Sequence, residues 1–433
     1  MSDGIRWNGR RKTREKRMVE EAKHITKEEY IKAREEYEKN VVSKLPRINT
    51  ENMSDIINFL DSHIRIRTKK EANIVLEYFD SLKEEWMEYR HTQWGTDVFP
   101  RIYTCMASAY QKLRQTDKAI QILQECLSLL CNDSWYDYRF ATKAGIYQNL
   151  AILYFELDDV IQTRINMRKA IFQLFAKSNN ISYDNFAFYA FRPLSKYVIE
   201  GIRENKISLS NPTTFNDPVD PALITHFELH IQLEKRAKEN EFLRLQQDIY
   251  KEFRIACLSR SAPLPTEKTQ GPSEHDPQFK ELHQATMWGY YAKSHTGICI
   301  KYVFPSSFTK NELWKNGEVL MLRNVDYKNT YNPRKDRFNY IDAFFSKGKA
   351  WKHEGECRLT YFKEDGTDSD FPWINLPEGC IREIYIGYKA STRAKKKLKG
   401  ALVNQPQVKL YQMQPSKKNI YYFEAIEIQL SAL

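Results

Sequence analysis

The chain has 433 residues, 42% of them hydrophobic, with 26 Tyr and 23 Phe and a net charge of +11. That length allows two or three domains with real cores. No apolar run is long enough to cross a bilayer and the N-terminus lacks an apolar signal core, so the expectation is a cytoplasmic protein without a membrane partner. Seven Cys, an odd number with no C-x-x-C pair, argue against a disulfide scaffold or a zinc knuckle.

Residues 1–25 read as a basic disordered tail containing RWNGRRKTREKR (Arg6 to Arg17). Such a cluster can touch nucleic-acid phosphate, as can STRAKKKLKG near the end, though neither carries interleaved aromatics for base stacking and a solvated face explains both. Residues 26–180 read as a helical domain. Thr26 and Glu29 form a capping box for a first helix, running to about Ser43. Asn49 to His63 and Thr68 to Arg90 follow, the latter with Ile74, Val75, Tyr78, Phe79, Leu82 and Trp86 on one face. Then a repeat appears. Met106 to Leu130 and Leu150 to Phe175 share a layout in which Ala107, Tyr110 and Cys126 match Ala151, Tyr154 and Ala170. Small residues at helix crossings with an aromatic one turn on suit paired antiparallel helices. The pattern resembles tetratricopeptide repeats, but the offset (110 to 154) exceeds the usual period of about 34. Such a stack binds a protein partner or another copy, or supports the second half. The oligomeric state is left open.

Residues 181–433 read as a mixed α+β domain, because strands and helices alternate without a βαβ rhythm. Phe188 to Phe191 suits a buried strand, Pro193 stops it, Ser195 caps a short helix and Asn205 ends it; Ile207 to Leu209 is a second strand. The polar loop through Phe215, Asn216 and Asp217 is turn chemistry that either shapes a bend or carries a site. A charged helix over Pro221 to Phe253 precedes a strand at Arg254 to Ser259, and 261–280 reads as a mobile loop. Ala285 to Lys293 is an aromatic helix bearing Met287, Trp288, Tyr290 and Tyr291, and His295 abuts the Gly297 turn before a strand at Ile298 to Phe304. Further strands are expected at Val319 to Tyr327, Ile381 to Ile386, Val408 to Gln412 and Ile420 to Ile428. Helices are expected at Tyr340 to Gly348 and Thr392 to Lys399.

His226 and His230 lie at i, i+4 without a third ligand, which favours a surface helix over a metal site. Gly-rich phosphate loops and the common hydrolase motifs are missing. The main constellation is Trp351-x-x-Glu354-x-Glu356-x-Arg358. On a strand, Glu354, Glu356 and Arg358 would share one face, with Cys357 and Leu359 on the other. Three charges on one strand face must be paired or working. An ion-pair lattice with Lys347 and a working site both remain open.

From about Phe188 to Ile386 the chain resembles the bacterial domain of unknown function 2971 family. The matching pieces are FRPL, ISLSNPTTFNDPVD, IACLS, MWGYYAKSHTGICIKY, K-x-x-x-W-x-x-E-x-E-x-R (Lys347 to Arg358) and IREIYIG. Its layout looks like the ADP-ribosyltransferase-type fold. Under that likeness Arg192 would hold NAD, Phe215, Trp288, Tyr290 or Tyr291 would flank the nicotinamide, with Asn216 and Asp217 in the same binding loop. Glu356 would stabilise the positive charge at C1′, and Glu354 would orient an acceptor. The nearest match to the S-T-S second-strand motif is Leu209-Ser210-Asn211. A toxin or phage-defence effector, recruited through helical repeats, would suit this architecture. Two alternatives stand beside it: a metal-dependent nuclease using Asp217, Asp220, Glu354 and Glu356, and a non-catalytic binding module.

Overall fold

The computed structural model describes residues 66, 68–81, 87, 95–132, 140–177, 186–215, 217, 220, 236–263, 285–309, 313–329, 340–366, 373–418 and 422–433. The basic tail, the helices expected before residue 64, most of the 261–280 loop, residues 221–235 and Asn216 lie outside this set. The chain divides into two compact units, Met1–Leu174 and Phe175–Leu433.

The first unit is helical: α1 (Lys69–Ser81), α2 (Gly95–Lys112), α3 (Thr116–Cys131), α4 (Phe140–Glu156) and α5 (Val160–Lys177), the last running just past the boundary. α2 packs on α1 and α3, and α3 on α4. Thr68 and Glu71 cap α1 reciprocally, each backbone N–H bonding the other side chain. The repeat read from the sequence has a structural counterpart. Arg114 and Asp158, equivalent positions, both take positive φ, 63° and 59°. The N–H of Gln115 reaches Tyr110 O, and that of Asp159 reaches Tyr154 O. The same turn therefore closes both helical hairpins. Ala107, Ala151, Cys126 and Ala170 are buried, as crossing positions require.

The second unit is built on an eight-stranded mixed sheet of order β12-β11-β10-β4-β1-β3-β8-β5. Its strands are β1 (Phe186–Arg192), β3 (Arg254–Pro263), β4 (Ile298–Tyr302), β5 (Glu318–Asn324), β8 (Glu356–Lys363), β10 (Ile381–Ile386), β11 (Lys409–Pro415) and β12 (Phe423–Ile428). Only β10 and β11 run parallel; the other neighbours are antiparallel. Two small pairs flank it, β2 (Lys206–Ser208) with β9 (Trp373–Asn375), and β6 (Asp326–Lys328) with β7 (Ser346–Gly348). The helices of this unit are α6 (Lys196–Glu204), α7 (Ala237–Tyr250), α8 (Ala285–Tyr290), α9 (Ser306–Thr309), α10 (Tyr340–Phe344) and α11 (Thr392–Leu402).

Local chemistry sets several of these bounds. The Ser195 hydroxyl accepts from Val198 N at 3.3 Å and starts α6; Asn205, with φ 52°, ends it. Two expectations need correction. The helix expected over Tyr340 to Gly348 ends at Phe344, and Ser346–Gly348 becomes β7 because its backbone pairs with β6. The E-x-E-x-R run is not one strand. Lys349–Glu354 is a 3-10 turn, Gly355 takes φ 52°, and the strand begins only at Glu356.

Residues paired directly across a sheet share a face, and neighbours in a strand alternate. One face carries Phe188, Ala190, Leu258, Ile300, Cys357 and Leu359, roofed by Ile199 and Ile202 of α6 and Leu398 and Leu402 of α11. The opposite face carries Ala187, Tyr189, Phe191, Cys299 and Tyr385, against Met287 and Trp288 of α8. Glu356, Arg358, Thr360 and Phe362 of β8 belong to this second face.

Candidate functional site

The site gathers at the start of β8. β7 presents Lys347, the 3-10 turn presents Glu354, and β8 presents Glu356 and Arg358. Lys347 Nζ lies 2.6 Å from Glu354, 3.1 Å from Glu356 and 3.4 Å from Asp220. Arg358 Nε donates to Glu356 Oε1 at 2.8 Å, and its terminal nitrogens reach Asp220 and, at 2.8 Å, the Phe344 carbonyl. All five charged side chains are buried. The left-handed Gly355 makes this possible, since it swings Glu354 off the strand line and back toward Lys347.

Aromatic rings and one thiol line the cluster. The Tyr291 hydroxyl donates to Glu354, and the Tyr327 hydroxyl accepts the Glu356 backbone N–H at 2.7 Å. Trp351 lies over the Lys347 ammonium at 4.9 Å, Tyr290 meets Trp351 edge-on, and Phe215 lies 5.9 Å from the Arg358 guanidinium. Half-buried Tyr291 and Trp351, with Tyr290 at 61% exposure, border the cluster.

The electrostatics separate the carboxylates. Burial pushes Glu356 up, but Arg358 and then Lys347, aided by hydrogen bonds from Arg358 and Cys257, outweigh it and hold Glu356 at about 2. Glu354 stands above its ordinary value, because burial exceeds the relief from Lys347 and from the Tyr291 hydrogen bond. Burial likewise raises Asp220, with Arg358 opposing and Glu356 adding. Burial lowers Lys347, yet the surrounding carboxylates more than reverse that and keep it charged. Burial and Glu356 push the Cys257 thiol well up, so it is no thiolate nucleophile. A carboxylate fixed as an anion thus sits beside one that holds a proton more readily, a division that suits acid–base chemistry.

Strand register adds two residues that the sequence does not single out. Ser259 of β3 pairs directly with Glu356 on one side and Tyr189 of β1 on the other. Tyr189, Ser259 and Glu356 therefore form one lateral row across three adjacent strands, on one face, spanning about 10 Å. Lys301 of β4 continues the row beyond Tyr189, and is ion-paired to Glu383 at 3.0 Å.

The residues expected at the site divide. Glu354, Glu356, Phe215 and Tyr291 come together, and Asp220 joins them. Asp217 is buried one turn before Asp220, whose N–H bonds its carbonyl. Arg192 does not join. It pairs with Ile298 and lines a small cleft with Tyr197, Lys206, Ile300 and Tyr302, on the aliphatic side. Phe191, its neighbour, is the residue facing the Glu356 side. A cleft shared by Arg192 and Glu356 is thereby ruled out. Trp288 is also displaced from its expected role. It is fully buried, edge-on to Phe191 and stacked on His295. The carboxylates hold Lys347 at their centre, where a metal ion would have to sit; among the described residues no group of three His, Cys, Asp or Glu is placed to hold one.

Also among the described residues, no helix is long and apolar enough to cross a membrane. Comparison with known proteins finds no matching family model, curated protein or solved structure.

Proposed function

We propose that the second unit uses NAD as a substrate and cleaves its nicotinamide–ribose bond, passing the ADP-ribosyl group to water or to an acceptor. The observation that carries this reading is the row Tyr189–Ser259–Glu356, three side chains from adjacent strands ending on a buried ionised carboxylate. A negative charge held in place without reorganisation favours a transition state in which positive charge builds at C1′. Three carboxylates against two cations leave the cluster one negative charge in excess when all are ionised. That balance, beside Tyr291, Trp351 and Phe215, fits a flat cationic nicotinamide ring.

In this reading the C–N bond breaks and its electron pair leaves with nicotinamide. A water or acceptor oxygen forms the new bond to C1′ and gives its proton to Glu354. Tyr291 and Lys347 hold the Glu354 carboxyl in place for that transfer. Ser259 and Tyr189 align the ribose along the row, and Ser259 stands where the second-strand serine was expected. The resemblances to the domain of unknown function 2971 family and to the ADP-ribosyltransferase-type fold agree with this reading and are part of the proposal.

The first unit serves as the recruiting element, a tetratricopeptide-like stack in an effector of the toxin or phage-defence kind. Leu157, Val160 and Ile161, exposed by 46%, 39% and 72% at the α4–α5 turn, are apolar side chains available to a protein partner.

The test is nicotinamide release from NAD by the purified chain, with and without lysate to supply an acceptor. Release that disappears in Glu356→Gln, in protein that still melts cooperatively, supports the proposal. Absence of release under both conditions sinks it.

A further inference from the structure

We propose that the end of the sheet where β1 and β10 terminate, together with the outer face of α11, binds the phosphate backbone of single-stranded nucleic acid. β1 and β10 both pair antiparallel with β4, so they run the same way and finish at one end of the sheet, on either side of β4: Arg192 and Ile386 both pair with Ile298. The segments around them are tied together by backbone. Gly387 N donates to Gly297 O, and Lys389 N to His295 O, each at 2.9 Å. A Cβ at Gly297 would strike the Arg192 carbonyl, and one at Gly387 the His295 carbonyl, so this junction packs without slack.

Three segments meet there: 193–197, 293–297 and 387–397. None contains an Asp or Glu. They present Lys196, Lys293, Lys389, Arg393, Lys396 and Lys397, all exposed. Lys293, Ser294 and His295 take φ of 48°, 52° and 68°, three successive left-handed residues without a glycine. That conformation costs energy and persists only because the junction enforces it. It turns Lys293 and Ser294 out to solvent on the same end. Glu200 and Glu204 lie further along α6, and Lys206 already pairs with Glu204 at 2.7 Å.

Basic runs alone favour nothing over solvent. The fold supplies the ingredient the linear sequence lacks, aromatic surface among the cations. Tyr197 is 50% exposed and Tyr388 49% exposed, each adjacent in sequence to a lysine of the patch. With Lys196 over Tyr197 at 4.9 Å and Phe423 tilted against Tyr388 at 6.1 Å, the outer parts of these rings offer stacking surface for unpaired bases, while the lysines track the backbone. The cations are distributed over the start of α6, the 293–297 turn, the 387–390 turn and the first turns of α11 rather than converging on a hollow, which suits a polyanion more than a small phosphate ligand. An anionic membrane is the weaker partner, because the apolar residues of α11, Leu398, Ala401 and Leu402, are buried in the core and cannot enter a bilayer.

The test uses the full chain and a fluorescein-labelled oligouridylate, followed by anisotropy across about 50 to about 200 mM salt. Arg393→Glu/Lys396→Glu/Lys397→Glu should weaken binding at least about tenfold and reduce the salt slope by about 2, near 0.7 per lost phosphate contact. Tyr388→Ala, which leaves every charge in place, should weaken it about fivefold or more. The proposal is overturned by lack of binding at the lowest salt. It is equally overturned by wild-type affinity in both variants, which would assign binding to the basic stretch at residues 6–17. Patch-dependent binding to phosphatidylserine vesicles without oligonucleotide binding would replace nucleic acid with a membrane surface.

Discussion

The two faces of the eight-stranded sheet are built from different chemistry. Phe188, Ala190, Leu258, Ile300 and Leu359 make the centre of one face aliphatic and aromatic, closed by α6 and α11. Across the backbone, Tyr189, Ser259, Glu356, Arg358 and Lys301 place hydroxyls and charges at equal depth. The first face is what hydrophobic burial favours anywhere. The second is not explained by stability, because a buried ion cluster often contributes no more than apolar residues of the same volume. Under the proposed function, the second face is the one that carries the working groups. The difference also shows why Arg192, one residue from Phe191, belongs to the other environment.

The largest expected effect breaks the charged face. Arg358→Met leaves Glu356 and Asp220 short of a partner and should cost about 3–5 kcal/mol in denaturant unfolding. Leu359→Ala, the adjacent residue on the aliphatic face, should cost a comparable amount, about 2–5 kcal/mol. Acid separates the two. The Arg358→Met deficit should shrink as pH falls and the stranded carboxylates protonate, whereas the Leu359→Ala deficit should stay constant. Equal pH dependence would erase the distinction between the faces.

Wild-type stability sharpens the point. Glu356 titrates at about 2 in the fold, below its ordinary value near 4.5. Its contribution is present above about pH 4.5 and is lost as pH falls through the folded value. Asp220 and Glu354, both raised, act with the opposite sign: their contribution is greatest at low pH and is lost as pH rises through their folded values. Chemical unfolding between pH 5 and 3 should therefore show a steeper loss for wild type than for Glu356→Gln; parallel curves would contradict the ionised state of Glu356. A smaller effect is expected from Tyr291→Phe. Losing the hydroxyl should cost about 1–2 kcal/mol. It should also raise the Glu354 pKa further, visible as a pH–rate limb displaced to higher pH.

What the sequence revealed was mostly local. Ser195 and Asn205 bound α6 through bonds within a few residues, and the 44-residue offset (110 to 154) is legible because two turns repeat the same letters' roles. The alternation of Glu356, Cys357, Arg358 and Leu359 was also readable, as was Lys347 as an ion partner. Gly355 was the trap: a left-handed glycine after a 3-10 turn mimics strand alternation in E-x-E. The lateral row was invisible, because Tyr189 and Ser259 meet Glu356 only through the register of β1, β3 and β8. The same missing register leaves open, in the sequence, whether Arg192 and Glu356 share one cleft.

The account turns on that register, and one pair of variants tests it most directly. Nicotinamide release from NAD should be measured for Tyr189→Phe and Arg192→Ala, with melting curves to establish that both fold. The account predicts a loss of about tenfold or more in Tyr189→Phe, at a residue that stands in the row, and near wild-type turnover in Arg192→Ala. Turnover that survives Tyr189→Phe but collapses in Arg192→Ala would contradict it and return the chemistry to the opposite face.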